Sequence, residues 1–209
     1  MRTVVSAVAL AGTVVLATGP GAAASAAART WTVSPGGAIT AMAGKITLTD
    51  TPTGATSSCQ SSRMSGTLKQ GSGLPGAGIG SLVTAVYSLC QAGPFPGKLT
   101  ARGLPWQLNL TSYDRSTGVA RGTISHFQIN FAPSFIQCTA AVKATGSTTP
   151  DGVAPVSYAS KTGTLKILTT GGDLHFYHVR KCAGIINNGD AAALSASFTI
   201  SPRQVITSP

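Results

Sequence analysis

The stretch "DLHFYH" at residues 173–178 gathers side chains able to move a proton. On an extended strand successive side chains alternate faces, so Asp173, His175 and Tyr177 share one face and Leu174 and Phe176 the other. An aspartate that orients a histidine is one way acid–base sites are built. His175 and His178 fall on opposite faces, which rules out joint chelation. A site also needs partners converging from elsewhere. The expectation is therefore that Asp173, His175 and Tyr177 form the exposed polar face of a strand. A hydrolase or metal-dependent enzyme centred on His175 is the alternative.

Other reactive patterns are scarce. There is no G-x-S-x-G elbow, no Glu, and only five Asp from which to draw a carboxylate pair. Asp114 ("SYDRSTG") and Asp151 ("TPDGV") sit in turn-like contexts, where Asp is commonly a turn former. Asp190 reads as a cap or turn residue and Asp50 as the end of a strand, so a two-carboxylate glycosidase is not expected. The glycine-dense run "KQGSGLPGAGIGS" (69–81) lacks the strand–helix context of a phosphate cradle and reads as a flexible connection. "QAGPFPGK" (91–98) holds Phe95 between two prolines, placed either to meet a ligand or protein partner or to plug the end of a fold. No catalytic residue, metal ligand set or cofactor is predicted.

Cys59, Cys90, Cys138 and Cys182 are the only cysteines. None forms the short C-x-x-C pairs of structural zinc sites, so two disulfides are expected, in an oxidising compartment. Residues 1–28 support that setting. Arg2 precedes an apolar run from Val4 to Ala17, a Gly/Pro break and then small residues, the order of a secretory signal peptide cleaved before Arg29. The run is shorter than the roughly 20 residues a spanning helix needs. A secreted chain, extracellular or associated with the cell wall, is the expectation.

Lys and Arg number 15 against five acidic residues, a formal net charge of +10. Such a balance suits anionic partners. The cations are scattered singly, without the basic stripe and stacking aromatics of a nucleic-acid binder. An anionic cell-wall polymer is the expected partner, against the plainer reading that low-charge secreted chains drift basic.

The elements that must position these residues are strands. With 25 Gly and 12 Pro as punctuation, β-rich segments occur at 45–50, 82–89, 105–113, 122–131, 138–145, 163–170, 174–181 and 196–201. "GDAAALSAS" (189–197) is the single helix-like candidate. The chain also repeats itself: "WTVSPGGAIT" (31–40) returns as "FTISPRQVIT" (198–207), and "SGTLK" (65–69) as "TGTLK" (162–166). An aromatic, a cysteine, G-T-L-K and a second cysteine recur in that order, the mark of a duplication. The units on this reading are 31–105 and 106–197, with 198–207 a closing strand that protects a sheet edge. The disulfides are then Cys59–Cys90 and Cys138–Cys182. The predicted fold is an all-β, disulfide-braced antiparallel β-sandwich spanning 29–209.

The Ala-rich leader, "WTVSPGGAIT", "GLPWQLNLTSYDRSTGVARGTI" and "FTISPRQVITSP" together resemble uncharacterised small secreted all-β proteins of high-GC Gram-positive bacteria. The resemblance implies secretion and an all-β fold, and no activity. The expected function is a non-enzymatic binding or structural module at or near the cell envelope. A protein inhibitor using loop 91–98 is a further alternative.

Overall fold

The computed structural model describes residues 29–133, 137–144, 151–168 and 173–209; the expected leader at 1–28 lies outside them. Among the described residues there is no helix. The strands are β1 (Thr30–Ser34), β2 (Gly37–Ala43), β3 (Ile46–Asp50), β4 (Thr56–Leu68), β5 (Gly71–Pro75), β6 (Gly80–Ala92), β7 (Phe95–Arg102) and β8 (Trp106–Asp114). They continue as β9 (Val119–Pro133), β10 (Thr139–Lys143), β11 (Gly152–Ala159), β12 (Thr164–Ile167), β13 (His175–Arg180), β14 (Ala192–Ser201) and β15 (Val205–Thr207).

The wall is a closed antiparallel barrel built on four long strands, β4, β6, β9 and β14. Each remaining place is filled by two short strands set end to end. β2 and β3 lie between β14 and β4, and β8 and β7 between β6 and β9. β11 and β10 both pair with β9. β12 then joins β11 to β14, and β13 joins β10 to β14 through the His175–Ala191 bridge. At either level the ring has eight members. We call the end carrying β3, β7, β10 and β13 the mouth, and the end carrying β2, β8, β11 and β12 the base.

The expected all-β, antiparallel, disulfide-braced class holds, but the strands close into a ring where a two-sheet sandwich was expected. β9 reaches four neighbours because two short strands lie end to end along each of its edges, and a bulge divides its two halves. His126 (φ 59°) sits in a β-bulge where Ser125 and His126 together oppose Val153. The extra residue switches the inward phase from Ala120, Gly122 and Ile124 to Phe127, Ile129 and Phe131, so both halves of the strand face the core. At Gly122 a Cβ would lie 1.8 Å from the Asn109 carbonyl oxygen, so the close approach of β8 demands glycine there. Trp106, fully buried, stacks on Phe127 at 4.4 Å and donates its Nε1–H to the Arg102 carbonyl at 2.7 Å.

The helix-like candidate at 189–197 is instead the start of β14. Leu194, Ala196, Phe198 and Ile200 point inward with period two, and ladders on both sides outweigh the helix preference of alanine. The run 69–81 is more than a connection, because it contains β5, which pairs with β1. The reversal at Ser116-Thr117-Gly118 is as expected: Asp114 Oδ1 accepts from Ser116 N (2.9 Å), Ser116 Oγ (2.7 Å) and Thr117 N (3.3 Å). These bonds, led by Ser116 and then Thr117, pull the Asp114 pKa down to about 2.

The base is closed by a second sheet, β15–β1–β5. Here the repeated segments meet. β1 pairs with β15 and β2 with β14, so each arm of "WTVSPGGAIT" lies against the opposite arm of "FTISPRQVIT". Both Ser-Pro peptides are cis. Buried Gln204 ties the two turns: its Oε1 accepts from Gly36 N (2.8 Å), and its own N–H and C=O bracket the Tyr158 hydroxyl at 3.0 and 2.9 Å. Trp31, buried on β1, meets Tyr113 edge-on at 6.4 Å.

Both disulfides form, with the pairing the repeat implies. Cys59 and Cys90 sit directly opposite on β4 and β6, and Cys138–Cys182 joins the flanks of β10 and β13. Sequence separations of 31 and 44 residues correspond to about 3–4 kcal/mol each on the chain-entropy model.

Candidate functional site

The fold places Asp173, His175 and Tyr177 together on the outer wall near the mouth. His175 Nδ1 lies 3.0 Å from the Gly189 carbonyl, which makes it the protonated nitrogen, and Nε2 faces Asp173 Oδ1 at 3.7 Å. Tyr177 stands with its ring 6.4 Å from the imidazole. Lys143, opposite His175 on β10, joins them with Nζ 5.9 Å from the Tyr177 centroid. The face is open at one side and closed at the other: the Asp173 side chain is 51% exposed, whereas Lys143 is buried. The Nδ1 bond to Gly189 ties the cluster to the loop before β14. Among the described residues no three His, Cys, Asp or Glu side chains converge to hold a metal.

Concavity is found at the mouth itself. A cavity of about 250 Å³ opens there, lined among the described residues by Leu48 of β3, Ala55, Phe131, Pro133, Phe176, Ile186 and the Cys138 disulfide. The β6–β7 turn closes one side with Phe95, 41% exposed, and Ile185, 51% exposed, stands on the opposite rim. The lining is almost wholly apolar. Its one buried hydroxyl, Ser57 Oγ, is already spent on the Gln91 carbonyl at 2.9 Å. Among the described residues the lining offers dispersion contact and water exclusion and brings no acid, base or metal ligand to the cavity.

Behind the rim two carboxyls meet. Asp50 is fully buried, and its Oδ1 accepts from Thr53 N at 3.1 Å. Its Oδ2 meets no N–H or O–H donor. Asp190 Oδ2 accepts from the backbone N and the side-chain Nδ2 of Asn187 at 2.9 and 3.0 Å. Burial first, and then the Asp190 carboxyl, push the Asp50 pKa above its ordinary value against the Thr53 bonds. Burial opposes ionisation of Asp190 as well, but hydrogen bonds from Asn187 and Asp50 hold its pKa below the ordinary value. As pH rises, Asp190 therefore gives up its proton before Asp50 does. The pair braces two rim segments that are also joined by Thr53 Oγ1 to the Ile185 carbonyl and by Thr51 N to the Ala191 carbonyl, each at 2.8 Å.

Sequence reasoning noted Phe95 and found its context ambiguous; the fold puts it on the cavity rim. The rest of the lining and the acid pair escaped it, because no local pattern links the end of β3 to the loop before β14. The chain matches no protein-family model, no curated protein and no solved structure.

Proposed function

We propose that the protein is a secreted, non-enzymatic binding module acting at or near the cell envelope, and that its ligand is a small apolar molecule or moiety seated in the barrel mouth. The mouth cavity is the observation that carries this reading. Barrel mouths are recurrent ligand sites. An apolar cavity of about 150 Å³ accepts benzene, and drug-sized pockets begin near roughly 300 Å³. The volume here, about 250 Å³, suits one or two fused rings or a short acyl chain. Export is supported by the leader-like first 28 residues, by the resemblance to secreted proteins and by two disulfides.

The test is titration with N-phenyl-1-naphthylamine, whose fluorescence rises when it leaves water. The wild type should bind it saturably at one site. Ala55→Phe, which fills the cavity from the rim, should abolish binding while the near-ultraviolet circular dichroism stays native. His175→Ala should bind as the wild type does, which separates this reading from an enzyme centred on His175. Equal binding by wild type and Ala55→Phe would sink the proposal.

A further inference from the structure

Five cations that are scattered in the sequence are brought together by the fold at the base, opposite the mouth. Val119 pairs with both Asp114 and Ala159, so the β8–β9 turn, with Arg115, lies beside the β11–β12 turn, with Lys161. Arg203, between β14 and β15, reaches the same place and donates from Nη1 to the Lys161 carbonyl at 3.3 Å. All three are exposed.

Directly above them on the outer wall, one cross-strand row reads Ser112, Arg121, Ser157, Lys166, Ser197 over five adjacent strands. Neighbouring strands are about 4.8 Å apart, which sets Arg121 and Lys166 about 10 Å apart with a hydroxyl between them. The acidic residue at this end is Asp114, whose Oδ1 is spent on Ser116 and Thr117. Asp50, Asp151, Asp173 and Asp190 all belong to the mouth half.

We infer that the base of the barrel, through Arg115, Arg121, Lys161, Lys166 and Arg203, docks on a linear phosphodiester polymer of the cell wall. Alternating guanidinium, ammonium and hydroxyl donors are the groups that recognise phosphate oxygens. Stacking is absent from the design. Among the exposed large apolar side chains of the described residues the one aromatic is Phe95, at the other end. Tyr113, the aromatic of β8 nearest the base, is turned edge-on to Trp31. A surface that reads charge without gripping bases suits a polymer of phosphates and polyols better than a nucleic acid. The inference extends the binding-module reading to a second surface and does not depend on the mouth ligand.

The experiment measures binding of the purified protein to immobilised poly(glycerol phosphate) between about 50 and 200 mM salt. Two triple variants are compared: Arg115→Gln/Lys161→Gln/Arg203→Gln at the base, and Lys98→Gln/Arg102→Gln/Arg180→Gln in the mouth half. Both remove the same charge from exposed positions. The base variant should bind about tenfold or more weakly, and its salt slope should flatten by about 0.7 for each phosphate no longer neutralised. The mouth variant should weaken much less, and both should bind N-phenyl-1-naphthylamine as the wild type does. Equal weakening in the two variants would reduce the effect to net charge and overturn the inference. Salt-insensitive binding, or tighter binding to poly(dT) of matched charge, would overturn it as well.

Discussion

Asp50, at the end of β3, and Asp190, just before β14, set two carboxyls against each other beneath the rim of the barrel mouth, and each shifts the titration of the other. Asp50 is buried and its second oxygen meets no donor; Asp190 is held by two N–H groups of Asn187. The arrangement is stable with a single proton on the pair and is weakened by removing that proton or adding a second. That requirement gives the mouth a pH dependence with a definite sign.

The Asp50 pKa is raised above 3.8, so its contribution is fully present below the unfolded value and is lost as pH rises through its folded value. The Asp190 pKa is lowered, so its contribution is present above the unfolded value and is lost as pH falls through its folded value. The rim should be tightest between the two. Hydrogen-exchange protection of the Thr53 and Asn187 amides, which donate to these carboxyls, should peak in that window. Asp50→Asn, which supplies a permanent N–H donor to Asp190, should abolish the decline on the alkaline side. A protection profile identical in wild type and Asp50→Asn would contradict the coupling of the two carboxyls.

At the base, the Tyr158 hydroxyl both donates to and accepts from the Gln204 backbone within a buried network. Tyr158→Phe leaves a buried N–H and a buried carbonyl without that partner. The expected loss is about 1–3 kcal/mol in urea unfolding. Mouth binding should be unaffected, since this network lies at the other end of the barrel. A loss near zero would mean that water replaces the hydroxyl.

The two disulfides should separate by function. Replacing either pair by alanine should cost about 3–4 kcal/mol of stability. Cys138 lines the cavity and Cys59–Cys90 does not. Loss of Cys138–Cys182 should therefore also weaken naphthylamine binding under conditions where both variants remain folded. Equal effects on binding would remove the Cys138 bridge from the site.

Several of these relationships were legible before the fold was known. Alternation at Phe127, Ile129 and Phe131, the turn at Asp114 and the pairing of the four cysteines all express short-range or repeated patterns. The repeated terminal segments marked the place where the ends of the chain meet. Other strands carried little signal. β4 turns Ser57, Cys59, Ser62, Met64, Gly66 and Leu68 inward, a set whose first half is too small and polar to read as a hydrophobic stripe. Ring closure was hidden because the same alternation serves a sandwich face and a barrel wall, and the bulge at His126 that divides β9 depends on its tertiary partner. The mouth is assembled from residues of many separate segments, and the basic end from single cations many residues apart, so neither is a pattern in one dimension.

Binding of an apolar ligand in the mouth cavity is tested most directly by titrating naphthalene into isotopically labelled protein and following amide chemical shifts. Saturable changes should concentrate at Leu48, Ala55, Phe95, Phe131, Phe176 and Ile185, with the base strands around Tyr158 and Gln204 silent. Changes confined to the exposed outer-wall residues Met42, Val83 and Val86, or no saturable change at all, would contradict it.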